Sequence, residues 1–477
     1  MHLQRVQVPD FRVLKDVDIT FEHDFNPRVF PLGSQNGGGK STLLQLIFIL
    51  LYCSTNPERL PALKNLLSGF DLRDGEDKRI LAIIDIWDGE KEVQLEFFVC
   101  SDTYIHQIFN YSNEIKAEDK LSFSTIVKLE NIQHEISGFF NEEKELEEIL
   151  RQAEYRIPAT NTSRIFPNDL EKRLADLEID FKSANVDFLD IDSLNLISKE
   201  AKSQLSEQHK HKKILSEFYC DRFEAISQHL RSFNIEYITV DSSKNEAFVC
   251  HLNNIDMDVS HQFLNELSNK VFLAAPSTQV FLFLPREGRK SLFTNRNTYQ
   301  SSLTSINSNL LGLFTYDFLA TDILINSFKN ARDKDFKEAL KTGEYGNNYK
   351  KLLEDLDFLM HDKQVNLAED FSGLTFKLNR FGDSMELYPE DLSHGELKRL
   401  SIYVWLKSQD IQDAIVLMDE VDLALHPDWQ YRIPTDLVEW EPSNQYILAT
   451  HSYELCESLT PSHVKILEPR LTERQSK

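Results

Sequence analysis

Between an apolar approach, Val29-Phe30-Pro31-Leu32, and a long apolar run from Leu43 to Tyr52, the chain reads Gly33-Ser34-Gln35-Asn36-Gly37-Gly38-Gly39-Lys40-Ser41-Thr42. A strand, a glycine-rich loop and a buried helix in that order constrain the fold more than any other stretch. Such a loop lets backbone N–H groups close on a polyphosphate, and the helix N-terminus adds its partial positive charge. Asn36, Gly37, Gly38, Gly39 and Thr42 would form the cradle, and Lys40 would reach the β- and γ-phosphates. The Ser41 hydroxyl would ligate Mg2+. The expected ligand is ATP with Mg2+. Pro31 weakens the strand, and Ser34 stands where the general pattern has a glycine, with Gly33 one place early.

A chain of 477 residues has room for about three domains. Its net charge of −25 repels nucleic acid on average, so any such contact needs a local basic patch. The five cysteines include no C-x-x-C pair, which points to reduced, buried thiols in a cytosolic protein and away from zinc. The N-terminal residues have no signal-peptide core, and the longest apolar stretch is far short of a membrane span. A cytoplasmic protein is expected.

Val17, Ile19 and Phe21 alternate with polar residues, the period of a half-buried strand. With residues 3–8 they predict an antiparallel pair ahead of the phosphate loop. Residues 79–87 and 91–100 flank Asp88-Gly89 as a hairpin. Further strands are expected over 237–240, 247–252 and 279–284, and helices over 303–330 and 348–361. From about 140 to 235 the pattern turns charged and helical, with Leu170, Leu174, Leu177 and Phe181 on one face. His209-Lys210-His211-Lys212-Lys213 is the basic cluster of that region, either a solvated helix face or a nucleic-acid contact. Arg286 and Arg289 follow the expected 279–284 strand, as exposed loop arginines or as arginines facing phosphate or a subunit interface.

Three late stretches carry more chemistry. Leu392-Ser393-His394-Gly395-Glu396 opens an amphipathic helix, where Ser393 and Gly395 serve either as an ordinary cap or as an anion site. Ala414 to Met418 reads as a central strand buried on both faces and ends in Asp419-Glu420. Asp419 would bind Mg2+, and Glu420 would polarise an attacking water as the catalytic base. Tyr446 to Thr450 is another buried strand, and His451 follows it.

Taken in order, the N-G-x-G-K-S-T form at 36–42, the L-S-x-G-E at 392–396, the Asp419-Glu420 pair with Leu425-His426-Pro427 after it, and Thr450-His451-Ser452 resemble the motifs of ABC-type ATPases of the OLD, RecF and SMC-like group. His394 departs from the family's glycine. The resemblance implies an α/β fold: an ABC-type P-loop ATPase head with a mixed central sheet, an antiparallel β subdomain and a large mainly helical insertion. Residues 1–135 would form the N-terminal lobe, 136–235 the helical insertion, 236–370 the remaining lobe I strands and a helical subdomain, and 371–477 the C-terminal lobe. It also implies that His451 contacts the γ-phosphate, and that Ser393 and Gly395 hold the γ-phosphate bound by the other subunit of an ATP-sandwich homodimer. A higher oligomer of dimers is compatible with it. A Phe-Arg pair opens related chains with its arginine near the nucleotide, so Arg12 is either such a residue or a surface one. Gln94, Gln107 and Gln133 are all open as the family's Q-loop glutamine.

The chain after His451 is too short for the Toprim nuclease domain of OLD proteins, so its chemistry is expected to be confined to ATP. The resemblance extends to stand-alone ATPase subunits of bacterial anti-phage systems such as PARIS and Septu, which act with a separately encoded effector, a nuclease or toxin. A RecF- or SMC-like DNA repair clamp and a non-catalytic ATP-dependent assembly module remain as alternatives, so nucleic acid as a partner stays open. No membrane partner is expected.

Overall fold

The computed structural model describes residues 1–35, 37–53, 55–56, 59–101, 103–104, 235–241, 246–285, 289–290, 306, 309–316, 321–360, 363–368, 373–380 and 383–467, with scattered positions between 199 and 213. The chain groups into two compact units: 1–100, 233–239 and 248–477 in one, and 101–232 with 240–247 in the other. The helical pattern expected between 140 and 235 lies almost wholly outside the described residues. Of its basic cluster, His209, Lys210 and Lys213 are described, and all three are exposed.

The described residues include two six-stranded sheets. One contains β1 (His2–Phe11), β2 (Leu14–Thr20), β4 (Lys78–Trp87), β5 (Glu92–Ser101), β6 (Ile235–Asp241) and β7 (Glu246–Asn253), in the order β2-β1-β4-β5-β7-β6. The pairs β1/β2, β1/β4 and β4/β5 are antiparallel. The alternation read from Val17 and Ile19 is real, since both are buried while Asp18 and Thr20 are exposed. At the 88–91 turn the Asp88 carboxylate accepts the Glu90 and Lys91 N–H groups.

The second sheet contains β3 (Val29–Gly33), β8 (Val271–Ala275), β9 (Leu313–Thr315), β13 (Ile415–Asp419), β14 (Gln445–Thr450) and β15 (Lys465–Ile466). Its order is β15-β3-β14-β13-β8-β9 and every pairing is parallel. Parallel sheets are covered on both faces, and β13 shows how. Ile415 and Leu417 join one apolar core, while Val416 and Met418 join the other. The first core also takes the helix α1 (Lys40–Cys53), buried on all sides, together with α2 (Leu60–Leu67), α3 (Met257–Ser268) and the antiparallel sheet. The second core takes α4 (Thr321–Thr342), α5 (Asn348–Met360), α6 (His394–Ser408) and α7 (Pro427–Trp440). A three-stranded antiparallel sheet, β10 (Lys363–Leu367), β11 (Leu374–Arg380) and β12 (Asp383–Leu387), adds Val365, Leu374 and Phe376 to it.

Pro31 sits inside β3 without breaking it. The Arg28 carbonyl accepts from Tyr446 N–H on the β14 side, and the Gly33 carbonyl accepts from Leu467 N–H on the other. Alternation therefore turns the missing Pro31 donor toward β15, whose pairing begins only at Leu32. The 279–284 segment differs from expectation. The strand is β8, eight residues earlier, and Val280–Phe283 forms a tight 3-10 turn that places Val280, Leu282 and Phe283 in the first core. Cys53, Cys100 and Cys250 are buried and Cys456 is half-buried. No helix among the described residues is long and apolar enough to cross a membrane.

Candidate active site

In open parallel sheets, ligands bind in the crevice outside the carboxyl ends of the strands. Here β3, β14, β13 and β8 end side by side, at Gly33, Thr450, Asp419 and Ala275. The loop after β3 turns into α1, whose first bond runs from Leu43 N–H to the Gly39 carbonyl. Gly39 has φ of 91°, and a Cβ there would lie 2.7 Å from Leu14 Cδ2 at the start of β2. No other residue fits both the backbone and the space. Asn36 lies outside the described residues; Gly37 and Gly38 complete the loop, and Ser41 and Thr42 lie in the first turn of α1.

Lys40 is buried. Its ammonium donates to the Ser34 carbonyl at 3.3 Å, to Ser34 Oγ at 3.1 Å and to His451 Nε2 at 2.9 Å. An ammonium only donates, so that His451 nitrogen is the unprotonated one. Burial lowers the Lys40 pKa, opposed by Asp419, Asp422 and Glu420. Ser34, the departure from the common loop pattern, thus gives the lysine a hydroxyl to rest on.

Asp419 ends β13 and is buried. Burial raises its pKa to about 6; the Ser41 hydroxyl and Lys40 oppose the shift, while Glu420 and Asp422 add to it. Asp419 Oδ2 has no hydrogen-bond partner in the protein. A buried carboxylate oxygen left over beside a serine hydroxyl is a donor set suited to Mg2+, which takes few protein ligands and fills its octahedron with phosphate and water oxygens. Among the described residues no cluster of three or more His, Cys, Asp or Glu forms a full protein cage for a metal.

Glu420 is held in the left-handed region, with φ of 51°. Its N–H donates to the Ala449 carbonyl at 3.0 Å. Its carboxylate receives Gln279 Nε2 at 3.4 Å, a long contact. Gln279 follows β8, and its own carbonyl accepts from Gln45 on α1. Gln94 lies in the antiparallel sheet, 3.0 Å from Asp85, and Gln107 and Gln133 are outside the described residues. The available signal was the short apolar run Val271–Ala275 closed by Pro276, which ends beside the Asp419 strand.

Other expected residues sit apart from this cluster. Ser393 caps α6, accepting the Glu396 N–H at 3.3 Å while Glu396 accepts the Ser393 N–H at 2.9 Å. Gly395 packs against the turn after β13, where a Cβ would stand 2.8 Å from the Ala424 carbonyl oxygen. Arg12 is exposed at the β1–β2 tip, and its guanidinium donates to the Leu66 carbonyl at 2.8 Å. Arg289 likewise donates to main-chain carbonyls, Leu284 at 2.8 Å and Leu282 at 3.1 Å, and Arg286 is outside the described residues.

A family profile described as "AAA domain, putative AbiEii toxin, Type IV TA system" matches residues 35–457. The chain belongs to this AAA-domain family. Its parallel sheet carries the phosphate loop, the acidic pair and the histidine at adjacent strand ends. Two curated relatives are similar over a short stretch. One is the Retron Vc95 probable ATPase of Vibrio cholerae serotype O1 biovar El Tor, 45% identical over 53 residues, 11% of this chain and 10% of that one. The other is the Retron Ec83 probable ATPase of Escherichia coli, 39% identical over 54 residues, with the same coverage. The matches span about a tenth of those relatives' length. Among solved structures, the Smc head domain with an extended coiled coil bound to the C-terminal domain of ScpA, from Pyrococcus furiosus, is 13% identical over 96% of this chain and 91% of that chain, with a TM-score of 0.31. The Smc head with a coiled coil and joint from Pyrococcus yayanosii is 15% identical over 96% and 93%, also at 0.31.

Proposed function

We infer that this AAA-family chain hydrolyses ATP to ADP and phosphate in composite sites of a homodimer, and uses the cycle to control a separately encoded effector. The observation carrying the first part is the convergence of Lys40, Ser41, Asp419, Glu420, Gln279 and His451 at neighbouring strand ends. Lys40 would leave Ser34 and His451 for the β- and γ-phosphates. Ser41 and Asp419 would hold Mg2+, which supplies charge neutralisation between the phosphates. Glu420, with an acceptor oxygen oriented by Gln279, would take the proton of the attacking water. His451 would sit against the γ-phosphate that Lys40 has turned toward.

Ser393 caps α6 through reciprocal bonds with Glu396, and the helix N-terminus it opens, with Gly395 in the first turn, is of the kind that receives anions. That supports their use toward a nucleotide held by a second copy. Control of a nuclease or toxin, in anti-phage defence, is favoured by the relatives' description as retron ATPases and by the motif resemblance.

The test is Glu420→Gln, which keeps shape and one acceptor but removes the base. General-base loss costs ~10²–10⁴ in rate, so ATP should stay bound while turnover falls and a dimer accumulates. Near-normal hydrolysis would move the base elsewhere. Mixing Lys40→Ala with Ser393→Arg chains should restore one working site per heterodimer. Co-purification of the wild-type and Glu420→Gln chains, with identification of what travels with each, tests the effector.

A further inference from the structure

Lys398 lies on α6, five residues after Ser393, and is buried. Its ammonium donates to the Glu420 carbonyl at 2.6 Å and to the Leu423 carbonyl at 3.1 Å, and stands 4.2 Å from the centroid of the Tyr316 ring. A buried charge is costly unless its donors are used, and an apolar side chain of similar length would pack at this point of the helix. The charge therefore has a job beyond packing, and its partners name it.

Two of those partners are main-chain carbonyls of one turn, and that turn is intrinsically unfavourable. Glu420 has φ of 51° and Ala424 has φ of 67°, two non-glycine residues in the left-handed region. Each such residue is strained and persists only when its surroundings over-determine it. Glu420 is over-determined from two sides. Its N–H is fixed to Ala449 of β14, and its C=O is fixed to Lys398 of α6. The far end of the turn is held separately, by Gln430 Nε2 on the Leu425 carbonyl at 2.9 Å and on the Asp422 carbonyl at 3.3 Å. With both flanking peptides fixed, the direction in which the Glu420 side chain leaves the backbone is fixed too.

We propose that Lys398 is a positioning residue for hydrolysis, which clamps the Glu420 turn to α6 and thereby aims the Glu420 carboxylate. The proposal rests on the reading of Glu420 as the general base. It has a consequence for communication between sites. The helix that begins at Ser393 and Gly395 touches the catalytic turn of its own chain twice, through Gly395 against Ala424 and through Lys398 against Glu420. Any shift of α6 imposed at Ser393 by a second copy's nucleotide is carried to the base of the first copy.

Lys398→Met keeps the stem and removes the donors. ATP affinity should stay within about threefold while steady-state turnover falls at least tenfold. The deciding measurement is a double-mutant cycle in single turnover. In the Glu420→Gln background, adding Lys398→Met should leave the residual rate unchanged within twofold, because the group through which Lys398 acts is already gone. An equal loss in both backgrounds, or a fall in ATP affinity matching the fall in turnover, would make Lys398 a packing residue and overturn the proposal. If Lys398→Met does not fold, Lys398→Arg, with altered reach and donor geometry, carries the same cycle. Failure of the underlying reading shows separately, as near-normal hydrolysis by Glu420→Gln alone.

Discussion

Lys40 Nζ and His451 Nε2 lie 2.9 Å apart, joining the first residue of α1 to the residue just past β14 across the crevice. The bond spans 411 positions of sequence. The acceptors of Lys40 here and at Ser34 are ones a phosphate would outbid, since hydrogen bonds to charged acceptors are the stronger class.

Lys40→Ala should therefore remove ATP binding without unfolding the chain. The lysine is desolvated and held by neutral acceptors, so its loss costs little. A thermal melt without nucleotide should be near that of the wild type, while the ATP-dependent rise in melting temperature disappears. Retained ATP stabilisation would remove Lys40 from the phosphates.

Asp419 gives the pH dependence a definite sign. Its pKa of about 6 lies above the ordinary carboxylate value, so the fold favours the neutral acid. That contribution is complete below about pH 4 and is lost as pH rises through 6. At pH 8 the ionised group costs the nucleotide-free protein about 3 kcal/mol relative to the neutral one. Asp419→Asn should melt higher than wild type at pH 8 and converge with it near pH 4. Mg2+-dependent ATP affinity should show the reverse, weakening in wild type as pH falls below 6 and staying weak and flat in Asp419→Asn.

The Gln279 side chain reaches the Glu420 carboxylate at 3.4 Å. Gln279→Ala should lower turnover about tenfold, less than the ~10²–10⁴ lost with the base itself, and leave ATP affinity unchanged. Equal loss of affinity would place Gln279 on the nucleotide or the metal.

Gly395→Ala puts a Cβ 2.8 Å from the Ala424 carbonyl oxygen and 3.1 Å from Trp429 Cζ3. Backbone oxygen does not yield as a side chain does, so the start of α6 must move. Overpacking of this kind costs about 1–3 kcal/mol. The melt should fall accordingly, and hydrolysis should fall further than the melt accounts for, because the same turn carries Glu420.

Short-range order was written in the chain itself. Glycines where φ turns positive, an apolar run long enough for a buried helix at Leu43 to Tyr52, and apolar runs ending in Asp419-Glu420 and Thr450-His451 each depend on a few neighbouring residues. They fixed the phosphate loop, the acidic pair and the histidine as candidates. The 271–284 region was ambiguous for the same reason. Two short apolar stretches look alike locally, and only pairing with β13 and β9 makes the first a strand while the second fills a core as a turn. Tertiary structure alone decided that β14 lies between β3 and β13, because strand order is set by covering both faces of the sheet and not by any local pattern. From that order come the meeting of Lys40 with His451, the approach of Gln279 to Glu420 and the burial that lifts the Asp419 pKa. The clamp of Lys398 on the Glu420 turn is likewise invisible in sequence, since its acceptors are backbone carbonyls, which every residue has.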